Sequence, residues 1–149
     1  MFHIDRDTET LDGLVEAFYA TISFPEGGAP DWERERKLYS PTARLTRMST
    51  DIIQTFTVEE FQADLQSMIT SGALPGFLET EIKRHVIQYA DIAHLFSTYE
   101  GRRLSGQPEI LLRGINSIQA YRREGRWWIA SVLWFREGPA NPIPKEFLP

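Results

Sequence analysis

Apolar residues near the start of the chain recur at intervals of three and four, the spacing of one face of an amphipathic helix. This spacing predicts a helix over residues 7–23, with Asp7 or Thr8 as its N-cap. Proline and glycine then interrupt the pattern and predict a loop over residues 25–30. The apolar face of the helix comprises Leu11, Leu14, Val15, Phe18, Tyr19 and Ile22.

Capping residues predict two further helices. Asp31 can cap a short helix from Trp32 to Tyr39, whose few apolar side chains suggest a lid over another part of the fold. Thr57 and Glu60 have the spacing of a capping box, in which each side chain bonds the backbone amide of the other residue. The helix that follows is expected to end near Gly72, since glycine suits a C-terminal cap.

Later in the chain the pattern changes to a period of two, which is typical of β-strands. We predict strands over residues 43–49, 77–88 and 92–100, and a closing hairpin over residues 114–135. Helices followed by a meander of strands indicate an α+β domain, with a curved antiparallel sheet packed on about three N-terminal helices. In the strand over 77–88, the charged residues Glu79, Glu81 and Lys83 alternate with Leu78, Thr80 and Ile82.

The closing hairpin contributes the most apolar surface. Gly125 suits the left-handed position of a three-residue loop, which pairs Arg122 with Arg126, whereas a two-residue loop shifts the register by one. The three-residue loop places alternate residues on opposite faces: Trp128, Ala130, Val132 and Trp134 on one, and Trp127, Ile129, Ser131 and Leu133 on the other. A strand that is apolar on both faces is covered on both sides. We therefore expect helices on one side and, through the outer sheet face, a second subunit in a homodimer.

Composition and charge narrow the classes of function. The 149 residues suit one domain over 1–149, in which residues 138–149 form a proline-rich tail. A net charge of −5 argues against nucleic acid, and no apolar run is long enough to span a membrane. The chain has no cysteine and its N-terminal segment lacks the apolar core of a secretory signal. A cytoplasmic protein without a cofactor is the expectation.

Local sequence phrases then suggest a family. The chain resembles the nuclear transport factor 2-like superfamily in the order of its elements and in three segments, at residues 39–45, 91–100 and 125–129. This resemblance implies a cone-shaped fold with a pocket between helices and sheet, and frequent sheet-to-sheet dimers. Its relatives include ketosteroid isomerase, scytalone dehydratase and the SnoaL-type polyketide cyclases. Their catalytic sets, Asp-Tyr-Asp or His-Asp, find no matching positions in this chain.

Two candidate catalytic residues lie in the strand over residues 92–100. His94 is a candidate general acid or base because a histidine titrates near neutral pH, or else a structural histidine at a pocket wall or interface. Tyr99 can donate a hydrogen bond to an oxyanion, or else belong to the core with its hydroxyl at the rim. A two-residue loop at Tyr89 and Ala90 would bring His85 opposite His94, but two histidines without a carboxylate make a poor metal site, so no metal is expected.

Candidate ligand-binding residues come from the helices and from the first strand of the hairpin. Trp32, Tyr39 and Tyr19 are aromatic residues that could roof a pocket or simply pack in the core. Asn116 should be central in the sheet, where a buried amide needs partners in the loop backbone or in a ligand. Arg113 can hold a carboxylate, either Glu109 or one on a ligand.

Two functions follow from these patterns. The first is a small-molecule-binding protein, which could act as an isomerase, dehydratase or cyclase on an apolar or polycyclic ligand. The second is a non-catalytic dimerisation or accessory module.

Overall fold

The computed structural model describes residues 6–103 and 110–149. Within these residues, the helices are α1 (Arg6–Glu9), α2 (Leu11–Ile22), α3 (Trp32–Arg36) and α4 (Val58–Thr70). The strands are β1 (Tyr39–Met48), β2 (Ile53–Phe56), β3 (Leu78–Tyr89), β4 (Ile92–Arg102), β5 (Ile110–Arg123) and β6 (Arg126–Arg136), and a 3₁₀ turn covers Lys145–Phe147. None of the helices in the described ranges is long and apolar enough to cross a bilayer.

The first predicted helix is in fact two helices. Thr10 has an extended backbone between α1 and α2, and its hydroxyl accepts a hydrogen bond from the Gly13 amide at 2.9 Å. Thr10 is therefore the N-cap of α2. The predicted caps Asp7 and Thr8 were wrong, because both residues lie inside α1.

The second predicted helix is shorter than expected, and the third agrees with its capping signal. The Asp31 carboxylate accepts from the Arg34 amide at 3.2 Å and caps α3, but Tyr39 begins β1 instead of ending a helix. The residues that follow favour extended backbone because Pro41 disfavours a helical residue before it. The capping box of Thr57 and Glu60 is present in α4.

The strands form one mixed sheet in the order β2-β1-β6-β5-β4-β3. Strands β1 and β6 are parallel, and every other described pair is antiparallel. The α+β class is confirmed, but the expected antiparallel sheet is corrected to a six-stranded mixed sheet. Strand β2 was missed because its four residues are mostly exposed and too few to show an alternation.

The closing hairpin has a different turn from the one expected. Glu124 and Gly125 both have positive φ angles, 57° and 73°, and form a two-residue turn that pairs Arg123 with Arg126. The predicted three-residue loop was therefore wrong. Further along, the register shifts between Ala120 and Gln119, so that Ala130 is an extra residue in β6.

This β-bulge changes which tryptophans share a face. An extra residue resets the alternation of the strand, so the side chains before and after the bulge follow different parities. The face of β6 toward the helices is made of Trp127, Ile129, Val132, Trp134 and Arg136. The expected grouping of Trp128 with Trp134 is corrected accordingly.

The proline-rich tail crosses the outer face of the sheet. The ring of Phe147 lies 5.3 Å from that of His85 and 5.2 Å from that of Phe96. Thr98 donates to the Phe147 carbonyl at 2.7 Å, and the His85 Nε2 atom lies 2.7 Å from the Glu146 carbonyl. One part of the face that was expected to meet a second subunit is therefore covered by the chain itself.

A buried carboxyl joins α3 to α4. Glu35 is fully buried, and its Oε1 atom accepts from the Gln62 amide at 2.9 Å. Gln62 also donates to the Trp32 carbonyl at 2.8 Å. The second oxygen of Glu35 has no hydrogen-bond partner among the described residues. Burial raises the pKa of Glu35 to about 7, against the smaller opposing effects of Gln62 and Arg36.

We predict that Glu35→Gln weakens the pH dependence of stability. The ordinary pKa of this carboxyl is 4.5, so between about 4.5 and about 7 the folded state keeps a proton that the unfolded chain loses. The free energy of unfolding therefore falls as the pH rises through this window. In the variant, the decrease between about pH 5 and about pH 8 should be smaller by about 2–3 kcal/mol.

Urea unfolding at both pH values measures this difference. Glu33→Gln, on the exposed side of the same helix, is the matched control and should leave the decrease unchanged. Equal decreases in wild type and Glu35→Gln would contradict the prediction.

Candidate functional site

A cavity of about 150 Å³ lies between the helices and the inner face of the sheet. Its wall is mostly apolar, and includes Phe18, Ile22, Leu45, Phe61, Leu65 and Trp134. Apolar cavities of about this size accommodate a benzene ring. Among these apolar groups stand a few polar ones, and they are concentrated on the strands: Tyr39, Glu79, Tyr99, Asn116 and Arg136.

Glu79 is the titratable carboxyl of the cavity. It is the second residue of β3 and faces inward, where the Asn116 amide donates to its Oε1 atom at 3.4 Å. Part of the side chain stays accessible, but the dense protein surroundings remove most of its hydration. Burial therefore raises the pKa of Glu79 to about 7, although the Asn116 donor and the Arg136 charge act in the opposite direction. Near neutral pH this carboxyl can both accept and donate a proton.

Tyr99, Gly114 and Arg136 occupy directly opposite positions on three neighbouring strands. Tyr99 passes over Gly114, which has no side chain, and its hydroxyl lies near the Arg136 guanidinium, which influences its pKa. A guanidinium group has only donors, so Arg136 offers no acceptor for the proton of the Tyr99 hydroxyl. The Tyr99 hydroxyl can therefore donate a hydrogen bond to a ligand.

The environment of Tyr99 keeps that proton in place. Burial, followed by the nearby Glu79 carboxyl, raises the pKa of Tyr99, against the smaller opposing effect of Arg136. Tyr99 is therefore a neutral donor across the physiological range.

A chain of buried hydrogen bonds fixes the orientation of Asn116. Ser97 donates to Glu81, so its oxygen must accept from the Tyr19 hydroxyl, 2.6 Å away. Tyr19 in turn accepts from the Asn116 amide at 3.1 Å. With its amide nitrogen directed by Tyr19, Asn116 presents the same nitrogen to Glu79.

Glu81, at the end of this chain, is held by Arg84. The guanidinium donates to both carboxylate oxygens of Glu81, with an Nη2–Oε1 distance of 2.7 Å. Arg84 also forms an ion pair with Asp12 on α2. The network therefore links β3, β4 and β5 to the first long helix.

The hydroxyl of Tyr39 is the remaining polar group of the wall. Tyr39 is only 4% exposed, and its hydroxyl has no hydrogen-bond partner among the described residues. Because a buried hydroxyl without a partner is costly, this group is available to a polar atom of a ligand.

The structure brings four of the predicted site residues together. Tyr39, Tyr99 and Asn116 line the cavity, and Tyr19 lies behind Asn116 as its hydrogen-bond partner.

The other three predicted residues lie elsewhere. His94 is on the outer face of the sheet, where its Nε2 atom lies 2.9 Å from the Ser117 hydroxyl. Arg113 is paired with Glu137 at 2.9 Å, which was not expected, and its expected protein partner, Glu109, lies outside the described residues. Trp32 is half-buried on α3 and does not line the cavity.

The position of His94 also depends on the turn between β3 and β4. The turn residues are Ala90 and Asp91, so His94 is opposite Ile87 rather than His85. The facing pair of histidines that a loop at Tyr89 and Ala90 would give does not form.

Sequence reasoning missed Glu79 and Arg136. The alternation in β3 was seen, but its polar side faces the cavity and its Leu78 side is exposed, the reverse of the usual arrangement. Arg136 was missed because it follows the apolar part of β6. The available signal was Gly114, since a glycine inside a long strand often marks a close approach of another group.

Comparison with known proteins shows which fold surrounds this site. No family model matches the chain, and no curated protein matches it by sequence. A solved protein of unknown function with a cystatin-like fold from Nostoc punctiforme PCC 73102 is 14% identical, with a TM-score of 0.67 over 89% of this chain and 91% of that one.

Two further structures are similar. An NTF-2-like protein of unknown function from Silicibacter pomeroyi DSS-3 is 17% identical, with a TM-score of 0.60 over 85% of this chain and 92% of that one. A candidate ketosteroid isomerase from Parabacteroides distasonis ATCC 8503 is 16% identical, with a TM-score of 0.57 over 95% and 98%. The chain therefore has the cystatin-like fold of nuclear transport factor 2-like proteins, and the predicted resemblance is confirmed at the level of the fold.

We predict that Gly114→Ala displaces the Tyr99 side chain and destabilises the protein. A Cβ atom at Gly114 would lie 2.6 Å from the Tyr99 hydroxyl and 2.6 Å from the Phe135 carbonyl, so the tyrosine must move. Overpacking of this kind should lower the free energy of unfolding by about 1–3 kcal/mol.

Urea unfolding checks this prediction. Gly138→Ala is the matched control, because the nearest atom to its Cβ would be 3.4 Å away in ordinary contact. Equal free energies of unfolding for the two variants would show that the position of Tyr99 does not require a glycine at residue 114.

Proposed function

We propose that the protein binds a small, largely apolar molecule in the cavity and transfers a proton on it. The observation that carries this proposal is the Glu79 carboxyl, whose pKa of about 7 lies near the pH of a cell. A carboxyl in such an environment can remove a proton from one atom of a ligand and return it to another.

The neighbouring groups support the same chemistry. The Tyr99 hydroxyl can donate a hydrogen bond that stabilises negative charge on a ligand oxygen, and the nearby positive charge of Arg136 makes that hydroxyl a better donor. Asn116 holds Glu79 without neutralising it. Apolar walls exclude water, which strengthens each of these interactions.

Isomerases, dehydratases and cyclases all use proton transfer of this kind. Among the proteins with similar structures, one is described as a candidate ketosteroid isomerase and another as a candidate isomerase of the SnoaL-like family. At 16% and 12% identity these descriptions favour the reaction class and leave the substrate open.

The proposal is tested with the neutral probe 5-nitrobenzisoxazole. Glu79 as carboxylate removes the proton on carbon 3, the ring N–O bond breaks, and the released 2-cyano-4-nitrophenolate is measured by its absorbance. The rate should rise with pH through about 7, because the carboxylate is the active form. Glu79→Gln should slow it at least tenfold, below the 10²–10⁴-fold that general-base catalysis typically contributes.

Glu100→Gln is the control for this experiment. Glu100 lies two positions along the chain from Arg102, with which it forms an ion pair, and it does not line the cavity. Its variant should keep the wild-type rate. Equal rates for wild type and Glu79→Gln would rule out Glu79 as the base.

A second proposal concerns association. We propose that two copies of the chain pair through the part of the outer sheet face that the tail does not cover. Ile87, Tyr89 and Ile92 are 74%, 80% and 61% exposed there, on two adjacent strands. An apolar patch of this kind on a sheet suits a second copy, and it is also what a non-catalytic dimerisation module would need.

Sedimentation velocity at micromolar concentration tests the pairing. Wild type should be a dimer, and Ile87→Asp should shift it to monomer because a charge is then buried in the interface. Ile53→Asp is the control, since Ile53 is 68% exposed on the edge strand β2. A monomeric wild type would contradict the proposal.

A further inference from the structure

Arg136 gives the cavity a cationic end. It is the last residue of β6, it lines the cavity, and its side chain is exposed at the same time. The ion pairs formed within residues 6–103 and 110–149 do not include it. Its neighbour Arg113, on the opposite face, by contrast donates two hydrogen bonds to Glu137.

The guanidinium of Arg136 and the hydroxyl of Tyr99 can donate hydrogen bonds to the same ligand group. Both residues line the cavity at neighbouring strand positions on either side of Gly114, so an N–H and an O–H donor are available on the same part of the wall. A planar carboxylate has two oxygens that can each accept one of these bonds. No other cationic side chain lines the cavity within the described ranges.

From this geometry we infer that the ligand is a ring-sized apolar carboxylate, with its ring in the cavity and its charged group on Arg136 and Tyr99. The inference rests on the proposed function and adds the class of ligand. The cavity volume of about 150 Å³ sets the size of the apolar part.

Binding of an anion is coupled to the protonation of Glu79. The groups facing this carboxyl are Asn116 on β5, Arg136 on β6, Tyr99 on β4, and the hydroxyls of Tyr19 and Tyr39. The other nearby carboxyls are directed elsewhere: Glu81 to Arg84, and Glu35 to Gln62. Arg136 is therefore the one cation in the described part of the cavity. An ionised Glu79 and a bound carboxylate compete for it.

Two consequences follow from this competition. The anion binds more tightly when Glu79 is protonated, and by linkage its binding raises the pKa of Glu79. With a carboxylate ligand bound, a larger fraction of Glu79 is therefore protonated near neutral pH.

The test uses two probes of nearly equal size, 4-fluorophenylacetate and the neutral 4-fluorophenylacetamide, titrated by fluorine NMR. At about pH 6 the acid should bind wild type at least tenfold more tightly than the amide, as expected for a charge-assisted pair that is partly exposed. Arg136→Gln should reduce the affinity of the acid to about that of the amide.

Two further variants complete the design. Arg136→Lys should retain part of the preference for the acid. Arg122→Gln, which removes an exposed arginine paired with Asp91 far from the cavity, should retain all of it.

The pH dependence of the affinity distinguishes the contribution of Glu79 from that of Arg136. Between about pH 6 and about pH 8 the affinity of wild type for the acid should fall by up to about tenfold, because Glu79 ionises. In Glu79→Gln the affinity should stay constant over this range, and the affinity for the amide should be constant in both proteins.

Each outcome decides a different question. Equal affinities of wild type for the acid and the amide would overturn the carboxylate inference and leave the proposed apolar cavity intact. Failure of both probes to bind would overturn the binding proposal as well. A preference for the acid that survives in Arg136→Gln would place the anion elsewhere.

Discussion

The β-bulge at Ala130 is the constraint on which the inner face of this protein depends. Before the bulge, Trp127 and Ile129 point toward the helices and close the core. Because one extra residue is inserted, Trp134 and Arg136 point to the same side further along the strand. With regular alternation, either the pair before the bulge or the pair after it would face the outer side. The chain would then lose either part of its core or the cationic end of its cavity.

The cavity combines two requirements that oppose each other. An apolar wall favours an apolar ligand, but it also makes an ionised carboxylate unfavourable, and this effect raises the pKa of Glu79. Two groups reduce the cost of ionising Glu79. The Asn116 amide donates a hydrogen bond to it, and the positive charge of Arg136 acts at longer range. Both groups come from strands, whose extended hydrogen bonding holds them more firmly than a loop would.

Gly114 and the buried network show how close packing positions these donors. The missing side chain at Gly114 lets Tyr99 cross to the next strand, and the bonds from Asn116 through Tyr19 to Ser97 leave little freedom for rotation. The same face of the sheet therefore packs against α2 and also supplies the polar groups of the cavity wall.

The sequence by itself determined the helices with capping signals, the long strands, the α+β class and the resemblance in fold, because these depend on local periodicity and on residues a few positions apart. It also identified Tyr99, Tyr39 and Asn116 as candidates. Only the tertiary structure decided that Glu79 faces inward, that Arg136 and Tyr99 line the same cavity and that His94 lies on the outer face. These facts depend on the bulge at Ala130, a two-residue turn and pairing between strands distant in the chain, and a shift of one residue there exchanges the faces of a strand.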